Sequence, residues 1–279
     1  MLGRMWENLD RPPLDARTLR RALVDGPQGS WARVDVVDRT GSTNADLLAS
    51  AADLPDRSAL VADFQASARG RHLRPWSAPA GSQLAVSALF RFPGIDPAVL
   101  GWLPLLTGVA VVDVLRSVAE VDAELKWPND VLIGGRKVAG ILAEVAPGGP
   151  VPTVVVGIGL NVSMTADELP VPTATSLAIE KAAVLDRDTL VRSLLRTLGS
   201  AVDVWRDAGW DSNSLAEPYR ARCGTLGRRV RVIMPGDNEL IGTATDVDAD
   251  GRIVVVPEGS DSAPVAVSAG DVTHLRTVV

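Results

Sequence analysis

Apolar positions along this chain fall into short runs divided by polar, Gly- and Pro-bearing segments. Val34 to Val37, Leu60 to Phe64, Leu84 to Phe92, Glu124 to Trp127 and Val154 to Asn161 are runs of strand length. Val131 to Ile133 and Lys137 to Val145 flank Gly134-Gly135, a tight hairpin signal. Helical spacing predicts a short helix from Asp15 to Val24, with Asp15 as its cap. A second helix, Ala45 to Ala52, is entered through Thr40-Gly41-Ser42-Thr43-Asn44, whose Ser, Thr and Asn are good caps. A buried helix is expected over Pro97 to Val121. An amphipathic one is expected over Thr189 to Trp205, carrying Leu190, Leu194, Leu198, Val202 and Trp205.

The character changes after about Pro218. Arg228 to Met234, Leu240 to Val247, Arg252 to Val256 and Val265 to Val267 read as short strands, separated by Pro235-Gly236-Asp237 and Asp250-Gly251. The pattern predicts an α+β chain: a mixed sheet packed on helices over 1–218, then a small all-β barrel over 219–279.

Composition narrows the functional classes. Of 279 residues, 46% are apolar, ample for a packed core, and the net charge is −6. An acidic balance argues against a protein that coats nucleic acid. The single cysteine, Cys223, cannot form an internal disulfide or build a zinc site, and is expected to be a small buried apolar residue. The cytoplasm is the natural compartment. Met1 to Asn8 carries charges and no apolar core of a signal peptide. Ala98 to Val112, the longest greasy stretch, is too short to span a bilayer, so no membrane association is expected.

Lysine is scarce: only Lys126, Lys137 and Lys181 occur, and the remaining positive charge is arginine. A lysine in such a chain points to a need for a compact ammonium, which the planar Arg fork does not supply. Two of the three lie between Leu125 and Glu144. Upstream, Gln65 to Trp76 holds Arg69, Arg71, Arg74 and Trp76 within a few residues. Such forks grip phosphate or carboxylate oxygens, Gly70 permits close backbone approach, and Trp76 offers a face for a base. A solvated loop accounts for these residues equally well when they stand alone. His72 and His274 are the only histidines, no Ser-His-Asp set can be assembled, and covalent catalysis through the enzyme is not expected.

Five motifs occur in order across residues 42 to 162: Ser42-Thr43-Asn44, the arginine loop ending in Trp76, Lys126-Trp127-Pro128-Asn129-Asp130, Gly140-Ile141-Leu142-Ala143-Glu144, and Gly157-Ile158-Gly159-Leu160-Asn161. In this the chain resembles the biotin–protein ligases (biotin–acetyl-CoA-carboxylase ligases) of the monofunctional type, without an N-terminal DNA-binding domain. The lysine motif is highly specific; the glycine motifs are weak singly. Two departures lie in the arginine loop: the family usually has Gly at the positions of Ala68 and Leu73. Neither removes a charge, but both reduce backbone freedom.

The resemblance implies an SH2-like biotin/lipoyl ligase catalytic fold followed by an SH3-like barrel. It implies a two-step reaction through biotinyl-5′-AMP. Lys126, Arg69 and Arg71 would be catalytic. Ser42, Thr43, Asn44, Gln65, Arg69, Gly70, Arg71, Lys126, Gly140 and Ile141 would hold biotin. Arg71, Arg74, Trp76, Lys126, Asn129 and Asn161 would hold ATP, and Asp130 would either orient Lys126 or help hold magnesium. ATP, Mg2+ and biotin are the implied small molecules, with no tightly bound metal. The implied partner is a biotin carboxyl carrier protein or domain. A lipoate or octanoate transferase is the nearest rival, and the intact arginine loop and lysine motif favour biotin. A repressor needs an added recognition helix, for which the segment before the first strand has little room, so no specific DNA binding is expected. The loop from Ser67 to Trp76, rich in like charge and poor in apolar side chains, is expected to be mobile until a ligand closes it as a lid.

Overall fold

The computed structural model describes residues 11–234, 238–259, 263–268 and 271–274. Met1 to Asn8 and the expected Pro235-Gly236-Asp237 turn lie outside them. Among the described residues, one sheet has seven strands: β1 (Arg33–Val37), β2 (Ser58–Ala62), β3 (Gln83–Arg91), β4 (Ala123–Lys126), β5 (Asp130–Ile133), β6 (Arg136–Val145) and β7 (Thr153–Asn161). Their order is β1-β2-β3-β7-β6-β5-β4; β1 and β2 are parallel and every other pair is antiparallel. The sheet is mixed, as expected. Gly134 and Gly135 close the β5–β6 hairpin at φ 56° and 77°, the left-handed pair that a two-residue turn requires.

The period of two decides which face each residue serves. On β3, Leu84, Val86, Ala88 and Phe90 enter the main core, as do Val154, Val156, Ile158 and Leu160 on β7. That face is covered by α3 (Trp102–Ser117) and α4 (Arg187–Asp207). The intervening positions, Ser87 on β3 and Gly157, Gly159 and Asn161 on β7, turn to the opposite face, where α2 (Thr43–Ala49) lies. Phe92 stacks edge-on against both Trp205 and Trp210, and Trp31 meets Phe90 at 5.5 Å between ring centroids. Burying each such ring is worth roughly 1.5–3 kcal/mol. The buried Arg187 and the partly buried Asp63 form an ion pair at 2.7 Å that ties α4 to the segment after β2.

Several boundaries differ from the pattern for identifiable reasons. Asp15 does cap α1 (Ala16–Arg20), accepting from Arg17 N and Thr18 N, but the next turn, Arg21–Asp25, is π-helical. Ser42 caps α2, so that helix starts before Ala45. The long apolar stretch begins as a 3-10 turn, Pro97–Gly101, and α3 stops at Ser117. This joined helix, Pro97–Ser117, is 21 residues long with mean hydropathy 2.0, enough by length and composition to cross a membrane. It is buried against the sheet, with Trp102, Leu103, Val112 and Leu115 fully covered. An unexpected helix, α5 (Asn213–Arg220), accommodates Pro218, which the pattern had read as a boundary.

The tail is a five-stranded antiparallel sheet: β8 (Arg229–Ile233), β9 (Glu239–Val247), β10 (Ile253–Pro257), β11 (Val265–Val267) and β12 (Asp271–His274), ordered β11-β10-β9-β8-β12. β12 was not foreseen, being only four residues long. The tail shares the main core: Val230, Val232, Ala244, Val247, Ile253 and Val255 join it. The segment after α5 flanks β4, with Leu125 N donating to Arg222 O and Gly224 N to Leu125 O, both at 2.8 Å. Cys223 is buried there, as expected, and burial pushes its thiol up.

A relay joins β12 to the motif after Lys126. Trp127 N donates to Thr225 Oγ1 at 3.0 Å, and Thr225 Oγ1 lies 3.0 Å from His274 Nε2. Thr225 Oγ1 thus links the backbone of Trp127 to the His274 ring. Burial first, then the charges of Arg228 and Lys126, hold His274 down at about 4, against an ordinary 6.5. The unfolded chain therefore takes up a proton that the folded one refuses. Stability contributed by this group is complete above about 6.5 and declines as pH falls toward 4. His274→Gln is expected to flatten that decline in urea melts taken across this window.

Candidate active site

A cavity of about 740 Å³ opens on the α2 face of the seven-stranded sheet. All five motifs reach it, and Ile233, Val272 and Thr273 of the tail complete its wall. The alternation of β7 explains the space: its residues on this side include Gly157 and Gly159, which project nothing into it.

One end is neutral and polar. Thr43, in the first turn of α2, donates from its N and Oγ1 to Gln65 Oε1 at 2.8 and 3.0 Å. Ser87 Oγ lies 2.7 Å from Thr43 Oγ1 and 2.6 Å from Asn44 Oδ1. Asn44 Nδ2 donates to Leu142 O and to Glu144 Oε2. The Gln65 oxygen is committed to Thr43, so its NH2 is what Gln65 offers a ligand. A Cβ on Gly157 would sit 2.2 Å from Asn44 Oδ1, so only glycine lets Asn44 lie against β7.

The arginine loop is more structured than its composition suggested. Gly70 N donates to Arg74 O at 2.8 Å and Trp76 N to Ala68 O at 2.9 Å, with a bridge pairing Arg69 and Pro75. Ala68 is buried, so its methyl packs where the family usually has Gly. His72 and Leu73 adopt φ 54° and 57°, and Leu73 is 74% exposed. A left-handed leucine costs on the order of 1–2 kcal/mol, which the family's usual Gly avoids. Arg69 lies 3.6 Å from Glu144, and Arg71 Nη1 donates to Asn129 Oδ1 at 3.3 Å. Polar partners thus anchor both arginines in a loop that has few apolar side chains of its own. Gly70 and Arg74 line the cavity.

Lys126 ends β4 and faces the cavity, 3.8 Å from Asp130 Oδ2. Asp130 Oδ1 is 2.5 Å from Lys137 Nζ. Lys137 thus holds one oxygen of this carboxylate closely, and Lys126 stands near the other. Among the described residues, no three His, Cys, Asp or Glu side chains cluster to hold a metal. Asn129 Nδ2 donates to Ile141 O, and Asn161 Nδ2 to Thr175 O. Ile141 turns its side chain toward Gly108 on α3, so its contribution to the cavity wall includes a backbone carbonyl held by Asn129. Trp76 lies over Gly140 and Gly159, where added Cβ atoms would come within 3.2 and 2.6 Å of its ring. Its Nε1 donates to Gln83 Oε1 at 2.6 Å.

Residues 36–161 match the Biotin/lipoate A/B protein ligase family, and residues 225–275 match the Biotin protein ligase C terminal domain. The biotin--[acetyl-CoA-carboxylase] ligase of Mycobacterium tuberculosis is 46% identical over 95% of this chain and 97% of its own length. This chain belongs to the biotin protein ligase family. The bifunctional ligase/repressor BirA of Escherichia coli is 31% identical over 88% of this chain and 75% of its own length. A structure of the Aquifex aeolicus biotin protein ligase in complex with biotin and ATP superposes with a TM-score of 0.72 at 24% identity, covering 88% of this chain and all of that one, and shows the same fold.

Every residue singled out from the sequence as binding or catalytic lines this one cavity. Sequence reasoning missed Ser87 and Lys137. Ser87 gave no signal beyond one polar position in an apolar strand. Lys137 did: the scarcity that marks Lys126 marks it equally. Gly157→Ala is expected to displace Asn44 and break its bonds to Ser87, Leu142 and Glu144. A loss of about 1–3 kcal/mol in a denaturant melt, with weakened ligand binding at that end of the cavity, is the outcome to check.

Proposed function

We propose that this chain attaches biotin, at the expense of ATP, to a specific lysine of a biotin carboxyl carrier protein or domain, through biotinyl-5′-AMP. The observation that carries the reading is the meeting of five motifs, spread from Ser42 to Asn161, around one cavity. In the first step a biotin carboxylate oxygen attacks the α-phosphorus of ATP and the bond to pyrophosphate breaks. In the second, a carrier lysine amine attacks the acyl carbon, AMP leaves, and the amine gives up a proton.

The neutral end, Ser42, Thr43, Asn44 and Gln65, suits the ureido group of biotin, with its one carbonyl and two N–H groups. The Gly140–Ile141 backbone and Gly70 border the same space. Lys126 neutralises the carboxylate and α-phosphate oxygens as charge shifts between them. Arg69 and Arg71 exchange Glu144 and Asn129 for ligand oxygens and keep water from the mixed anhydride. Arg74, Trp76, Asn129 and Asn161 take the nucleotide. Magnesium enters with ATP as part of the substrate and is bound mainly through its phosphates. The catalytic part is 1–218 and the tail is 219–279, with α5 at the join. The reduced, buried Cys223 fits a cytoplasmic protein.

Incubation with biotin, ATP and magnesium, followed by mass spectrometry, tests the reading: a biotinyl-5′-AMP product supports it. Lipoate consumed in preference to biotin would instead assign the rival activity. Lys126→Ala is expected to slow adenylate formation by about 10²–10³ with an unchanged melting curve. Near-normal turnover would remove Lys126 from the chemistry. Trypsin cleavage after Arg69, Arg71 and Arg74 is expected to slow when a biotinyl-5′-AMP analogue is bound. Equal rates with and without it would rule out a closing lid.

A further inference from the structure

Lys137 has no part in the reactions above, yet it is more firmly placed than Lys126. Its main chain is fixed from outside the sheet: Lys137 N donates to Thr173 O and Thr175 N to Lys137 O, both at 2.8 Å. Its ammonium is 2.5 Å from Asp130 Oδ1 and 5.5 Å from the centre of the Trp76 ring. The side chain is only 33% exposed, and Asp130 only 20%. Gly140 leaves the room this needs, since a Cβ there would lie 3.1 Å from Lys137 Nζ and 3.2 Å from Trp76.

Two consequences follow from one charge. The indole is held at its edge by Gln83, from beneath by the bare backbone at Gly159, and by the cation of Lys137. A large flat side chain fixed on several sides is a ready platform for a planar base, because its rotational freedom is already spent. At the same time Lys137 holds one Asp130 oxygen closely, while Lys126 stands 3.8 Å from the other. Asp130 therefore keeps Lys126 oriented without capturing it, and an anionic ligand can take Lys126 over.

We propose that Lys137 is the positioning residue of the nucleotide half of the site, fixing Trp76 for the base and Asp130 for Lys126. It serves the nucleoside triphosphate through these two side chains and leaves the neutral, ureido-facing end alone, because the Thr43–Gln65–Ser87 network is built without it. This rests on the ligase reading of the cavity.

The test uses the full chain, with Lys137→Met removing the charge at similar length and Lys137→Arg restoring a cation. Biotin is titrated calorimetrically first, and α,β-methylene-ATP is then titrated into the biotin-saturated protein. The Met variant is expected to weaken the analogue about tenfold, the scale of a partly shielded cation–π contact. Biotin affinity should fall by clearly less, about threefold at most, since only its carboxylate end meets Lys126, and the Arg variant should regain most of the nucleotide affinity. Lys137→Gln gives the same reading should the Met variant fail to fold. Unchanged nucleotide affinity, or equal losses for both ligands, overturns the proposal. Wild-type protein that makes no biotinyl-5′-AMP from biotin and ATP overturns the ligase reading, and this role with it. Normal adenylate formation with unaltered analogue binding by the Met variant overturns the role alone.

Discussion

The position of Lys126 depends on where Trp127 is buried. The Trp127 side chain is 2% exposed, and both of its N–H groups are satisfied by the tail: the backbone one by Thr225 Oγ1, the indole one by Gly251 O at 3.0 Å. Leaving either donor unpaired inside the protein would cost roughly 1–3 kcal/mol, so the tail fixes the ring closely. Trp102 on α3 is bound to the same turn of the tail, through Ala249 O. Gly108 lets α3 close on Leu125, whose Cδ2 would be 2.8 Å from an added Cβ. The residues on both sides of Lys126 are thus gripped, one by the helix and one by the second sheet. A short strand with one sheet neighbour would be a poor support for a charge that must meet a reacting group to within a fraction of an ångström. The shared core of the two sheets supplies the stiffness that β4 lacks.

The cavity follows from how the strands divide their two faces. Most large aliphatic residues on β3 and β7 are spent on the α3–α4 side. Toward α2, the central strands carry Ser87, Gly157 and Gly159, and a polar network replaces apolar packing. A sheet of this width would ordinarily bury both faces or leave one to water. Here the second face is half covered, by α2 over Leu60, Leu89 and Val155, and open beyond it. The neutral end of the site sits at the edge of that cover, and the charged end lies further along the same strands.

Much of this was legible in the chain. Strand periodicity, the Gly134-Gly135 hairpin and the Asp15 and Ser42 caps are local physics, and they gave the element order. The lysine motif was visible because lysine is scarce here, and the arginine loop because it gathers Arg69, Arg71, Arg74 and Trp76 within a few residues. What stayed hidden depends on distant partners. α5 carries Pro218 inside it and packs against α3, a partner far away in the chain. β12 is four residues whose pairing with β8 decides their state. The polar partners of the loop around Arg71 were hidden, because Glu144 and Asn129 are more than fifty positions away in the chain. Lys137 could be noticed as rare, but nothing local said that it shares a carboxylate with Lys126.

The charged groups show how such a site can be ordered and still open to exchange. A cluster of cations with no partners would repel itself and keep its loop in motion. A cluster with ideal partners would have little reason to accept a ligand. Arg69 at 3.6 Å from Glu144 and Lys126 at 3.8 Å from Asp130 lie between these limits. Each contact is long for a charged hydrogen bond, which is strongest near about 2.8 Å. Carboxylate and phosphate oxygens at ideal distance would displace them at small cost, and the freed Glu144 keeps its bond from Asn44. The contacts not expected to move are the short ones, Lys137 to Asp130 and Trp76 to Gln83. Loose contacts occur where a reacting ligand must enter and tight ones where its surroundings must stay fixed, which is the division of labour that electrostatic preorganisation requires.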